Sequence, residues 1–164
     1  MACSFASVPG YAGCAVLALS GELDISDAAE LSAQLTAVMS AEPWVIVDLA
    51  DLAFIDCSSL WVLAGARERT RLAGGDVLLA GPRGAVTRLL LLTLWGREFS
   101  VFPSVSLAGF SAGLAKLSSK LAASKAGESV AAAVDGMVTE SGSPAAVTIG
   151  RGRSSGRQDY WGAA

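Results

Sequence analysis

Histidine is missing from all 164 residues. Without an imidazole to carry the proton, the Ser-His-Asp triad and the Cys-His dyad cannot be built in their ordinary forms. Cysteine is scarce, with only Cys3, Cys14 and Cys57. Three thiols cannot complete a disulfide framework, and their wide spacing does not suit a zinc site. No G-x-x-x-x-G-K phosphate loop occurs. Long apolar runs are absent as well. The longest, near residues 89–95, is far short of the about 20 residues a membrane span needs. The N-terminus has no basic region before an apolar core, so no secretory signal is expected. These absences lead to the expectation of no catalytic residue, no cofactor, no metal and no membrane span, in a reducing cytoplasmic setting.

Positive charge is also missing from the first part of the chain. No Lys or Arg precedes Arg67, while Glu22, Asp24, Asp27, Glu30, Glu42, Asp48, Asp51 and Asp56 do. The net charge is -3, so nucleic acid is not an expected partner. If several of these acids share a face, that face suits a basic partner surface; solvated turns and helix ends explain them equally well. What is abundant is apolar: 52% hydrophobic against 16% charged residues. That composition supports one packed domain rather than a disordered chain.

The pattern along the chain predicts alternating elements. Residues 3–8 read as an edge strand, with Pro9, Gly10 and Gly13 as a turn and residues 14–19 as a second strand. Asp27 and Glu30 have capping-box spacing, with Asp27 as the cap, and Leu31, Leu35, Val38 and Met39 line the helix that follows. Residues 44–49 form a third strand, followed by a short second apolar piece at 52–55. A second helix starts near Ser58 and runs to about Leu72, with Gly74 and Gly75 at its end. Residues 76–80 are almost wholly apolar and predict a central strand. Val86, Leu89, Leu90 and Leu94 mark a third helix, with Gly96 beyond its end, and residues 99–102 a fifth strand. Ser104 can cap a fourth helix whose Leu107, Phe110, Leu114, Leu117 and Leu121 follow a 3,4,3,4 spacing. From Ala123 the composition turns to Ala, Gly and Ser with balancing charges and no apolar period. Residues 1–122 are therefore expected to form the domain, and 123–164 a disordered tail in which Val130 to Val134 is at most a stray helical turn.

The densest signal is V-I-V-D-L-A-D-L-A-F-I-D-C-S-S-L at residues 45–60. A buried strand gives way to a helix at Asp56, with Cys57, Ser58 and Ser59 opening the helix. Such a helix start carries unpaired N–H groups and a positive dipole end. This elbow can hold a phosphoryl group or a partner's carboxylate.

These residues resemble the STAS domain, named for sulphate transporters and anti-sigma factor antagonists. Its members usually read D-S-S-G-L at this point, after a V-x-x-D-L strand. A second family mark, G-E-L-D, stands at Gly21 to Asp24, and the resemblance covers about residues 5–122. It implies an α/β fold, a mixed sheet of four to five strands with about four helices packed on it. It implies a non-enzymatic anti-sigma factor antagonist, which binds an anti-sigma factor, often a serine kinase, and so frees a sigma factor for transcription. The first serine of the family motif is the phosphoacceptor. Here Cys57 stands in that place, and Ser58 is the possible substitute. The implied partner face comprises Asp24, Asp56, Cys57, Ser58, Ser59 and Trp61.

Each of these residues also has a plain structural reading. Asp56 and Ser58 are good helix caps, Asp24 suits a loop that bonds its own backbone, and Cys57 fills a serine-sized space. Ser59 replaces the family's glycine, and Trp61 is either a core filler or an exposed anchor. The rival functions are a STAS module regulating a transporter ATPase or stress-signalling scaffold, and an enzyme using Cys57 as nucleophile.

Overall fold

A computed structural model describes residues 3–11, 13–93 and 95–138 of the chain. The chain divides into two units, Met1–Ala123 and Ser124–Ala164. In the first, five strands form one sheet in the order β1-β2-β3-β4-β5. They are β1 (Ser4–Tyr11), β2 (Cys14–Leu23), β3 (Trp44–Ile55), β4 (Asp76–Ala80) and β5 (Ser100–Phe102). β1 and β2 form an antiparallel hairpin, and every later pairing is parallel. The parallel pairs are joined by helices, as the alternating sequence pattern requires: α1 (Ala28–Ala41), α2 (Cys57–Leu72), and α3 (Gly84–Leu92) with the short α4 (Trp95–Glu98). The expected mixed α/β sheet is present, with five helices among the described residues.

The strands alternate between two cores. Leu17, Leu19, Val45, Val47, Leu49, Val77 and Leu79 face α1, α2 and α3, where they meet Leu31, Leu35, Leu60, Leu63, Val86 and Leu90. Cys14, Val16, Ile46, Leu78 and Ala80 face the other way, toward Ala108 and Ala112 of α5 (Val105–Val138). A strand buried on both faces reads as a continuous apolar run, and β4 does.

Several boundaries differ from the sequence reading for physical reasons. Pro9 and Gly10 lie within β1, at a register shift between Val8 and Tyr11, rather than in the turn. Proline is tolerated there because β1 is an edge strand, and the positive φ of the turn falls on Gly13 at 73°. The two apolar pieces at 44–49 and 52–55 are one twelve-residue strand, β3. Its polar interruption is absorbed by two register shifts against β2. The capping pair sits one turn earlier than Asp27 and Glu30. A 3-10 turn at Ile25–Asp27 precedes α1, and Asp24 accepts from the Ser26 N–H at 2.8 Å while Asp27 accepts from the Asp24 N–H at 3.3 Å. Asp27 makes no side-chain cap bond to α1. The third predicted helix is two: α3 ends at Leu92 and Gly96 lies inside α4. Leu94 lies outside the described residues.

Ser104 does precede α5, its Oγ accepting from the Leu107 N–H at 3.4 Å. The side of α5 that meets the sheet is not its leucine stripe but Ala108 and Ala112; Leu107, Phe110, Leu114, Leu117 and Leu121 are all exposed. The backbone of α5 continues to Val138, past the point where the sequence loses its apolar period. Residues 139–164, with Tyr160 and Trp161, lie outside the described residues.

Candidate functional site

The elbow forms where β3 gives way to α2. Asp56 is extended, with φ -98° and ψ 173°, so its side chain can turn back over the first turn of the helix. Its Oδ1 accepts from the Ser59 N–H at 2.8 Å, and the Ser58 hydroxyl lies 2.7 Å from both carboxylate oxygens. Its own N–H donates to the Leu23 carbonyl at 3.1 Å. That bond ties the elbow to the end of the G-E-L-D segment. Burial pushes the Asp56 carboxyl up, but the Ser59 N–H, the hydroxyls of Ser58 and Ser59 and the Ile25 N–H outweigh it and hold the pKa below its ordinary value. Asp56 is therefore an ionised cap.

Asp24 stands beside it as a second anchored acid. Its Oδ1 accepts from both the N–H and, at 2.6 Å, the hydroxyl of Ser26. These two bonds, hydroxyl first, draw its pKa down, against a smaller upward push from Asp56. Two carboxylates thus share one end of the sheet without an ion-pair partner of their own among the described salt bridges.

The remaining elbow residues divide by exposure. Cys57 is exposed, and Trp61, one helical turn on, is 68% exposed. Ser58 is half-buried, with its hydroxyl engaged by Asp56. Ser59 is fully buried beneath the helix start. Its hydroxyl reaches no well-formed hydrogen bond among the described residues, although it lies close enough to Asp56 to favour the carboxylate. Ser59 thus belongs to the packing under the elbow, and its side chain is not presented to a partner. Asp24, Cys57 and Trp61 are the sequence-chosen side chains that the fold leaves accessible.

Two apolar residues of this end were missed by sequence reasoning. Ile25, between the two acids, is 73% exposed, and Phe54 at the end of β3 is half-exposed. The signal for Ile25 was available: an isoleucine in a polar loop with no periodic apolar neighbour. The signal for Phe54 was hidden inside an apolar run. An exposed isoleucine, phenylalanine and tryptophan thus accompany the two anchored carboxylates at this end.

Trp61 also forms one wall of an open cleft of about 530 Å³ between α2 and the α3–α4 segment. Its ring meets Trp95 edge-on, centroids 5.1 Å apart at 84°, and Trp95 meets Phe99 at 6.0 Å. Below them the Arg67 guanidinium grips Asp76 at 2.7 and 3.2 Å and lies 5.5 Å from the centroid of the Phe99 ring. This bidentate pair is largely buried and fixes the base of the cleft. Among the described residues no group of three His, Cys, Asp or Glu side chains is placed to hold a metal ion. No helix among them is long and apolar enough to cross a membrane.

Comparison with known proteins identifies the fold and the family model it matches. The family model for the STAS domain matches residues 6–108. An anti-sigma factor antagonist from Mycobacterium paratuberculosis is similar in structure, with a TM-score of 0.61 and 25% identity, over 68% of this chain and 94% of that one. A Thermotoga maritima protein described as an anti-sigma factor antagonist gives 0.58 and 22%, over 66% and 92%. A sulfate transporter family protein from Wolinella succinogenes gives 0.54 and 19%, over 63% and 87%. No curated protein matches the sequence.

Proposed function

This chain belongs to the STAS domain family, and on that premise we propose that it acts as an anti-sigma factor antagonist, with the elbow end of the sheet as its partner face. The anti-sigma factor it binds is a serine kinase, and binding frees a sigma factor for transcription in the cytoplasm. The single observation that carries this reading is the exposed Cys57–Trp61 pair on the first turns of α2, beside the anchored Asp24 and Asp56. The role is regulatory rather than catalytic, in keeping with the anti-sigma factor antagonist among its structural neighbours.

The substitution of the acceptor determines how such a face is regulated. A phosphoryl group on the first helical residue brings about two negative charges into the interface, next to two carboxylates, and expels the partner. Cys57 holds that position, and a thiol is not the normal substrate of a serine kinase. Ser58 is poorly placed to substitute. Its hydroxyl already donates to Asp56 at 2.7 Å, so a phosphoryl group there would be driven against an ionised carboxylate. The native chain is therefore a constitutively binding antagonist.

The test is affinity for the cognate anti-sigma kinase. A buried tryptophan anchor contributes about 2 kcal/mol or more, so Trp61→Ala is expected to weaken binding about thirtyfold or more. Melting temperature is the control, and the high exposure of the ring predicts little change. Unchanged affinity removes Trp61 from the face. Co-purification with a transporter subunit in place of a kinase transfers the chain to the transporter-regulating branch of the family.

A further inference from the structure

We propose that a second copy of this chain docks on the outer side of α5, helix against helix about a two-fold axis. The proposal rests on the stripe that the fold leaves uncovered. Leu107, Phe110, Leu114, Leu117 and Leu121 are between 51% and 71% exposed. At about 100° per residue they lie together on the side opposite Ala108 and Ala112, which are buried against the sheet. Burial of α5 on its own domain is thus accomplished by alanines, and among the described residues the five large apolar side chains are left largely uncovered.

The spacing indicates what covers them. A helix that packs on a sheet or in a globular core shows a broad apolar arc, whereas a strict 3,4,3,4 repeat is the narrow seam of paired helices. Ser111 and Ser118 flank the seam on one side, and Gly113 with Lys116 and Lys120 on the other. A Cβ at Gly113 would meet nothing within 4 Å. Phe110, Gly113, Leu114 and Leu117 line a shallow, mainly apolar groove of about 380 Å³ along this side, so a neighbouring helix can approach closely.

Charge separates a second copy from other occupants. Between Val105 and Ala123 the only charged residues are Lys116 and Lys120. Lys116 is turned inward, donating to the Gly13 carbonyl and lying 6.0 Å from the centroid of the Trp44 ring. With no acid on this stretch of the helix, a basic partner finds no complement beside the seam. With one outward lysine, the same stretch lacks the basic polar face that binds an anionic membrane surface. A second copy supplies an identical seam in register, the self-complementary patch that a two-fold contact requires. Five large apolar side chains withdrawn from water on each copy remove on the order of 1,000 Å² in total. That is the lower end of a specific interface, so the dimer is weak and reversible.

Sedimentation velocity on the full chain, from about 1 µM to about 500 µM, tests this. The mass is expected to rise with concentration from the 16.6 kDa of one chain toward twice that value. Leu114→Glu, at the centre of the seam, is expected to raise the dissociation constant at least about tenfold while leaving the dilute melting temperature unchanged. Leu72→Glu, at a still more exposed leucine on α2, is expected to leave it where it was. A chain that stays monomeric throughout overturns the proposal. So does a Leu114→Glu form that dimerises as the native chain does, or loss of the dimer in Leu72→Glu. A monomer in which the Leu114→Cys thiol resists alkylation places the chain's own residues over the stripe and equally overturns it. Retention on anionic vesicles without self-association does the same in favour of a lipid surface.

Discussion

In α2, Leu60 and Leu63 are fully buried, while in α5 Leu114 and Leu117 stay more than half exposed. Both helices carry apolar residues three and four apart and both lie on the same sheet. The difference is on the other side of each helix. In α2 the side away from the core carries Cys57, Trp61, Glu68 and Arg71, which leaves the leucines to pack. In α5 the opposite side is Ala108 and Ala112, and alanine lets the backbone lie closer to Ile46 and Leu78 than leucine can. Periodicity identifies a face but not the partner of that face. On the proposals made above, α2 acts through its N-terminus and α5 through its outer side.

The contrast can be broken by substitution, the largest effect first. Leu63→Ala removes a fully buried side chain and is expected to cost about 3 kcal/mol by urea denaturation. Leu114→Ala is expected to cost under about 0.5 kcal/mol in dilute solution. Equal losses would show that the α5 stripe is a core face after all. Next, Ala112→Leu inserts volume where no room exists and is expected to cost about 2 kcal/mol through overpacking. A neutral result would mean that α5 does not seat tightly on the sheet.

Asp56→Ala should cost about 1 kcal/mol as a lost cap, and its pH dependence sharpens the picture of α2. Because the folded pKa of Asp56 is depressed, its contribution is present above the ordinary carboxylate value near 3.9 and is lost as pH falls through the folded value. The gap between native and Asp56→Ala stability should therefore be constant at neutral pH and close below about pH 4. A gap that persists in strong acid would assign the effect to packing. The smallest effect concerns the remaining tail. Every buried hydrophobic side chain among the described residues lies between Cys14 and Ala112, so we expect truncation after Ala122 to shift the melting temperature by only about a degree or two. A large drop would show that residues 123–164 contribute to the stability of the fold.

Much of this was legible in the residues themselves. The strand–elbow–helix order and the interior position of β4 follow from apolar runs and capping chemistry, and the structure keeps them, whereas β2 runs past residue 19 to Leu23 and takes in most of the G-E-L-D mark. The cap of α1 was misplaced because D-I-S-D and D-A-A-E both satisfy the spacing. Only the 3-10 turn, which the spacing does not encode, chooses between them. The length of β3 was missed because Asp48 and Asp51 look like a break, while two register shifts against β2 carry the strand through. α4 is four residues long, too short for any helical period. At the site, the exposure of Cys57 and Trp61 and the burial of Ser59 were not predictable from residue type. They depend on which way α2 rolls when Leu60 and Leu63 enter the core.

The account rests on the first residue of α2 being the regulatory position, presented to solvent and occupied by a thiol. The most direct measurement is phosphoryl transfer from ATP by the cognate anti-sigma serine kinase to the native chain and to Cys57→Ser, followed by intact mass. We expect no phosphate on the native protein and one phosphate on Cys57→Ser, mapped to the new serine, with loss of kinase binding. Efficient phosphorylation of the native chain at Ser58 would contradict the account, as would a Cys57→Ser protein that accepts no phosphate.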